Sequence, residues 1–126
     1  MKEKGIIITN NEYVRNILIN KTKLIFIEGT LMDVLIKVRD YIHYGHKLLT
    51  HPLMGSVKPN ETPYKTVIIS ENKYDNVDIQ SLMYIENSIE VSKNLIESRQ
   101  PKNWPENVLK DFALIDYDLI NNAINN

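Results

Sequence analysis

Polar residues able to do chemistry gather at three places in this chain. The densest is His51–Thr66, "HPLMGSVKPNETPYKT", which holds His51, Gly55, Ser56, Lys58, Asn60 and Glu61 together with three of the five prolines. His51 is a candidate general acid–base, because an imidazole changes charge near neutral pH. Lys58 is a candidate cation for an anionic group, and Asn60-Glu61-Thr62 suits local side-chain turns. The second place is Thr9-Asn10-Asn11 and the third is Glu28-Gly29-Thr30. Both follow apolar runs, where hydroxyl and amide groups either cap a helix or help hold a ligand at its free N–H groups. Ser56 beside Gly55 lacks the G-x-S-x-G frame of a nucleophile elbow. His43, His46 and His51 have no carboxylate at a familiar ligand spacing, so no metal is expected, and no cofactor.

These groups need elements to position them. Ile6-Ile7-Ile8 and Leu24–Ile27 are short continuous apolar runs, as in strands buried on both faces. "KLLTHP", Lys47–Pro52, is a third strand candidate, and "KTVIIS", Lys65–Ser70, a fourth. Between them lie amphipathic stretches. Val14, Ile17 and Leu18 form the inner face of a short helix, and Leu31, Val34, Leu35, Val38 and Ile42 form that of a second. Asp33 and Lys37 are expected to pair on its wet side, and Gly45 falls where a helix-ending glycine belongs.

A long helix is expected from about Asp78 to Ser98, with a seam of Leu82, Ile85, Ile89 and Ile96. Pro105 fits the first turn of a last helix. That helix is expected to bury Val108, Phe112, Ile115, Leu119 and Ala123 and to break near Asp116.

The order predicts an α/β fold: a single domain over residues 1–126, built as a small three-layer sandwich around a mainly parallel, Rossmann-like sheet of three or four strands. In such sheets ligands bind beyond the carboxyl ends of the strands. That places Thr9, Asn10, His51 and Lys58 at one cleft. The 51–66 connection either returns antiparallel, as a wide hairpin, or crosses over to a parallel position. Its prolines stiffen it and Gly55 allows it to bend.

The chain has 126 residues and a formal net charge of −1, so no basic field exists to hold nucleic acid. Cysteine is absent, which excludes disulfides, thiolate nucleophiles and CxxC redox chemistry. The apolar run after the basic start, Ile6–Ile8, is too short for a signal segment, and no membrane-length apolar stretch follows. A cytoplasmic protein without a membrane partner is expected. Met83 and Leu95 broaden the apolar face of the long helix, which suggests packing on a second copy, as a homodimer, or on another partner.

The run H-P-L-x-G-x-x-K-P-N-x-T-P-Y-K, His51 through Lys65, resembles the GrdX family, and "TNN" at Thr9–Asn11 is similar to that family's start. The resemblance covers nearly the whole chain, though the C-terminal third carries no motif of its own. It implies an accessory protein encoded beside the glycine, sarcosine and betaine reductases of amino-acid-fermenting anaerobes. That system is selenium-dependent, is fed by thioredoxin and releases acetyl phosphate. A chain without cysteine is not its electron carrier.

Three readings follow. In the first, the protein binds a small polar or anionic metabolite at the sheet end under the loop, through Thr9, Asn10, Asn11, Gly55, Ser56, Lys58, Asn60 and Glu61. In the second, it is a small enzyme with His51 as acid–base, assisted by Glu61 or Glu28. In the third, it is an adaptor or assembly factor for the reductase components, docking through the loop. A loop folded over the sheet end favours a pocket, and a projecting loop favours an adaptor.

Overall fold

The computed structural model describes residues 1–126. The elements run β1 (Gly5–Thr9), α1 (Glu12–Leu18), β2 (Lys23–Phe26), α2 (Leu31–His43), β3 (Thr66–Ser70), α3 (Ile79–Ser98) and α4 (Glu106–Asn125). The fold is mixed α/β with a three-stranded sheet in the order β2-β1-β3.

β1 and β3 are buried on both faces, which is why they read as unbroken apolar runs rather than alternating ones. Ile8, Val67 and Ile69 face α2 and α3, packing with Leu31, Val34, Leu35, Val38, Ile42, Ile85 and Ile89. Ile7 and Ile68 face the other way, onto Val14 and Leu18 of α1 and Ile120 of α4. Each fully buried isoleucine contributes about 1.5–3 kcal/mol relative to an exposed one. The first three helices start on side-chain caps: Asn11 accepts from Tyr13 N (3.0 Å) at α1, and Asp78 accepts from Ser81 N (3.1 Å) at α3. At α2, Thr30 and Asp33 cap one another's backbone N–H groups, so Asp33 serves the capping box. No helix is long and apolar enough to cross a membrane.

The expectation of a mainly parallel sheet is corrected at β3. β1 and β2 are parallel, with Thr9 opposite Phe26, but β1 and β3 are antiparallel, with Thr9 opposite Thr66. Only the β1-α1-β2 unit is the expected alternation of strand, helix and parallel strand. The physical reason lies in "KLLTHP". This segment makes a single bridge, Leu48 to Ile69, rather than a strand. Ser70 N donates to Lys47 O (2.7 Å) and Leu49 N to Ile68 O (2.9 Å), while Thr50 Oγ1 takes the Ile68 N–H (3.0 Å). It therefore lines the outer edge of β3, and the 51–65 loop returns from it as a wide hairpin.

α4 is also unbroken at Asp116. Its buried stripe turns one position away from the expected one: Ile120 is fully buried, while Ile115 is 42% exposed. Asp116 sits on the inward side, four residues before Ile120.

Candidate functional site

The antiparallel turn of β3 decides what reaches the carboxyl ends of β1 and β2. A parallel strand would have brought its last residue there. β3 instead brings its first, Thr66, and with it Tyr64 and Lys65 from the end of the loop. Thr9 and Thr66 face each other across the pair, their hydroxyls 2.7 Å apart. Both continue the column of Ile7 and Ile68 toward α4. There Thr66 Oγ1 donates to Asp116 Oδ2 at 2.6 Å, and Asn11 Nδ2 donates to the same oxygen at 3.0 Å. Asn11 Nδ2 also reaches Ala113 O (3.0 Å), and Thr9 Oγ1 accepts from Asn11 N (3.0 Å). Cap, strand ends and last helix are thus joined by one polar network, buried at the strand ends and part-buried at α4.

Burial raises the Asp116 carboxyl above the usual carboxylate range, although the Thr66 and Asn11 hydrogen bonds and the charge of Lys65 oppose it. Lys65 is 8% exposed. Burial pushes its amine below the usual lysine range, against the pull of Asp116. The ion pairs of the chain are Lys23–Glu71 and Arg39–Glu86, so the Lys65 ammonium stands outside ion-pair distance of Asp116. In both groups the loss of water outweighs their mutual attraction.

Asn10 holds the loop down. Its Nδ2 donates to Pro63 O (2.8 Å) and Gly29 O (3.1 Å), and its Oδ1 accepts from Lys65 N (2.9 Å). One amide therefore ties the end of the loop to the turn after β2. At the far side Trp104 Nε1 donates to Glu61 O (2.7 Å). Gly55, at φ +94°, lies so close to α4 that a Cβ there would stand 2.6 Å from Leu119 Cδ1. The loop is folded onto the sheet end and α4.

Two concavities result, and Tyr64 borders both. The larger is a cleft of about 640 Å³ beyond β1 and β2, between the starts of α1 and α4. Asn10, Asn11, Glu28 and Gly29 line its floor and rim, with the aromatic rings of Tyr13, Phe26 and Tyr64. Glu12, Glu28 and Glu106 bring negative charge to it and Lys110 brings one positive charge. Burial, and then the nearby Glu12 carboxylate, raise the Tyr64 phenol, so it stays a protonated donor. The smaller concavity, about 20 Å³, lies under the loop against α4, lined by Lys65, Thr66 and Asp116 and by apolar side chains such as Met54 and Phe112.

The residues singled out from sequence fall into separate places. Thr9, Asn10 and Asn11 are together at the sheet end, with their side chains engaged as described. Gly55 packs on α4. Lys58 is exposed, and its N–H donates to Glu61 Oε1 (3.2 Å), a turn internal to the loop. Ser56 is exposed, and Asn60 is buried with an Oδ1 that meets no donor. His51 is exposed beyond the Lys47–Thr50 edge. Its Nδ1 accepts from Leu53 N (3.0 Å) and its ring packs on Tyr84 of α3, 5.2 Å between centroids. His51, Gly55, Ser56, Lys58, Asn60 and Glu61 line neither concavity.

Sequence reasoning missed Tyr64, Lys65, Lys110 and Asp116. Two signals were available. Lys65 closes the recognisable run that begins at His51. Phe112, Asp116 and Ile120 recur at i, i+4 and i+8, which puts the carboxylate on an apolar helix face.

A family model described as GrdX-like protein matches residues 6–125, nearly the whole chain. Neither a curated protein nor a solved structure matches it.

Proposed function

We propose a function for this chain from the premise that it belongs to the GrdX-like protein family: it is an accessory protein of the glycine, sarcosine and betaine reductase system that binds a small, amino-acid-like ligand in the cleft beyond β1 and β2. The family supplies the reductase association. The observation that carries the ligand reading is the Asn10 clamp, which folds the loop over the sheet end and sets Tyr64 as a wall of the cleft.

The charges favour a zwitterion over a bare anion. An anion alone would meet the carboxylates of Glu12, Glu28 and Glu106 with only Lys110 to balance them. An ammonium group suits those carboxylates and the faces of Tyr13 and Tyr64. The ligand's own carboxylate suits Lys110. This narrows the expected small polar or anionic metabolite to one that carries both charges.

A thermal-shift screen over glycine, sarcosine, betaine, acetyl phosphate and phosphate tests the reading. The zwitterions are expected to raise Tm; at a hundredfold excess over Kd the stabilisation is about 2.7 kcal/mol. Lys110→Ala should remove the shift and leave the ligand-free Tm nearly unchanged, since Lys110 is exposed. A shift with phosphate alone would favour the bare anion. No shift with any compound would leave the adaptor reading ahead. That reading was expected to dock through the loop; the exposed apolar surface open to it is on α3, where Ile79 and Met83 are 65% and 66% exposed.

A further inference from the structure

We propose that the cleft beyond β1 and β2 selects its ligand by N-alkylation: it takes an amino acid whose ammonium is methylated, up to a quaternary trimethylammonium, in preference to one whose ammonium is primary. This rests on the zwitterion reading of the preceding section and names the class of ligand within it.

The walls of the cleft are aromatic. Tyr13, Phe26 and Tyr64 line it, and none of the three stacks on another, so their faces are not used up among themselves. Tyr13 stands at 87° to Tyr117, with 5.4 Å between centroids, and this contact braces its ring. Phe26 already carries the Arg15 guanidinium 4.3 Å from its ring centre. Tyr13 and Tyr64 are therefore the rings left for the cation of a ligand. Ile27, Leu109 and Ala113 add apolar surface beside them.

The hydrogen-bond acceptors of the floor are engaged within the protein. Asn10 Oδ1 accepts from Lys65 N (2.9 Å), Asn11 Oδ1 from Tyr13 N (3.0 Å), and Gly29 O from Asn10 Nδ2 (3.1 Å). Glu12, Glu28 and Glu106 are exposed, so they keep their water and act on a ligand through their charge rather than as buried partners. A primary ammonium brings three N–H donors, and each one left without an acceptor in the cleft costs free energy. A trimethylammonium brings none. Its charge is spread over methyl surface, which suits ring faces and apolar walls, and the carboxylates attract it as before. At about 640 Å³ the cleft has room for the added methyl groups.

The test is a calorimetric titration of the full chain at neutral pH with glycine, sarcosine, dimethylglycine and betaine. Kd is expected to fall with each added methyl group, betaine binding at least about tenfold more tightly than glycine. The compound tert-butylacetate keeps the shape and carboxylate of betaine without its positive charge, and should bind at least about tenfold more weakly than betaine. Tyr13→Leu, at a ring 43% exposed, should weaken betaine about fivefold and leave glycine within about twofold. Tyr64→Leu should do the same. If glycine binds as tightly as betaine, the alkyl preference is overturned and the zwitterion reading stands. If tert-butylacetate matches betaine, the charge plays no part and the proposal is overturned likewise. If none of the four amino acids binds, both readings fall. Should a variant fail to fold, the wild-type series still decides.

Discussion

Asp116 shows what a single side chain contributes here. Its folded-state pKa lies above the unfolded one, so the folded protein retains a proton that the unfolded chain has released. Stability therefore falls as pH rises from the ordinary carboxylate range through the raised value. Lys65 acts in the opposite sense. Its lowered pKa means that the unfolded chain binds the extra proton, so stability is gained as pH rises from the lowered value to the ordinary lysine range. Denaturant midpoints measured from about pH 4 to about pH 10 should show the acid-side fall flattened in Asp116→Asn and the alkaline-side rise flattened in Lys65→Met. Asp116→Ala leaves Asn11 and Thr66 donors with less to bond and should cost about 1–3 kcal/mol near neutrality. Residue-level legibility was uneven. Thr9, Asn10 and Asn11 stood out because polar groups after an apolar run must either cap or bind. Asp116 did not: its place on the Phe112–Ile120 face was a signal, but a carboxylate on an apolar face also reads as a break in the helix, and only the unbroken α4 shows it as an inward group.

At the scale of elements, the decisive feature is the direction of β3. A three-residue apolar core, Val67-Ile68-Ile69, reads the same in parallel or antiparallel pairing, so sequence pattern left the direction open. The direction was set by the Lys47–Thr50 edge and the hairpin it begins, which are tertiary facts. The same reversal explains why the expected cleft residues part company. His51 starts the loop on the outer side of β3, while Lys65 ends it beside β1. Two substitutions test the folded-down loop. Asn10→Ala removes three hydrogen bonds and should cost about 2–4 kcal/mol in denaturation experiments. Gly55→Ala places a side chain at φ +94° and against Leu119, and should cost about 1–2 kcal/mol. A neutral effect at Asn10 would mean that the end of the loop is not held to the turn after β2, and one at Gly55 that the loop stands away from α4 in solution.

For the whole molecule, the alternation of apolar runs and amphipathic stretches was enough to predict helices on both faces of a small sheet, because β1 and β3 bury side chains on both faces. The surface was less legible. Met83 and Leu95 were expected to widen the apolar face of α3; Met83 is 66% exposed and Leu95 half-buried. With Ile79 and Val91 they leave an uncovered apolar stripe, and α3 is the face on which self-association is expected. Sedimentation should detect a concentration-dependent dimer that Met83→Lys weakens, and a strict monomer at every concentration would rule it out.

The ligand proposed above is a small zwitterion held beyond β1 and β2, walled by the end of the loop. Titration of the isotope-labelled protein with glycine, followed by amide NMR shifts, tests it most directly. Saturable shifts are expected at Asn10, Asn11, Gly29 and Tyr64, and Lys110→Ala should suppress them. Shifts confined to Ile79–Val91 on α3, or none at all, would contradict it.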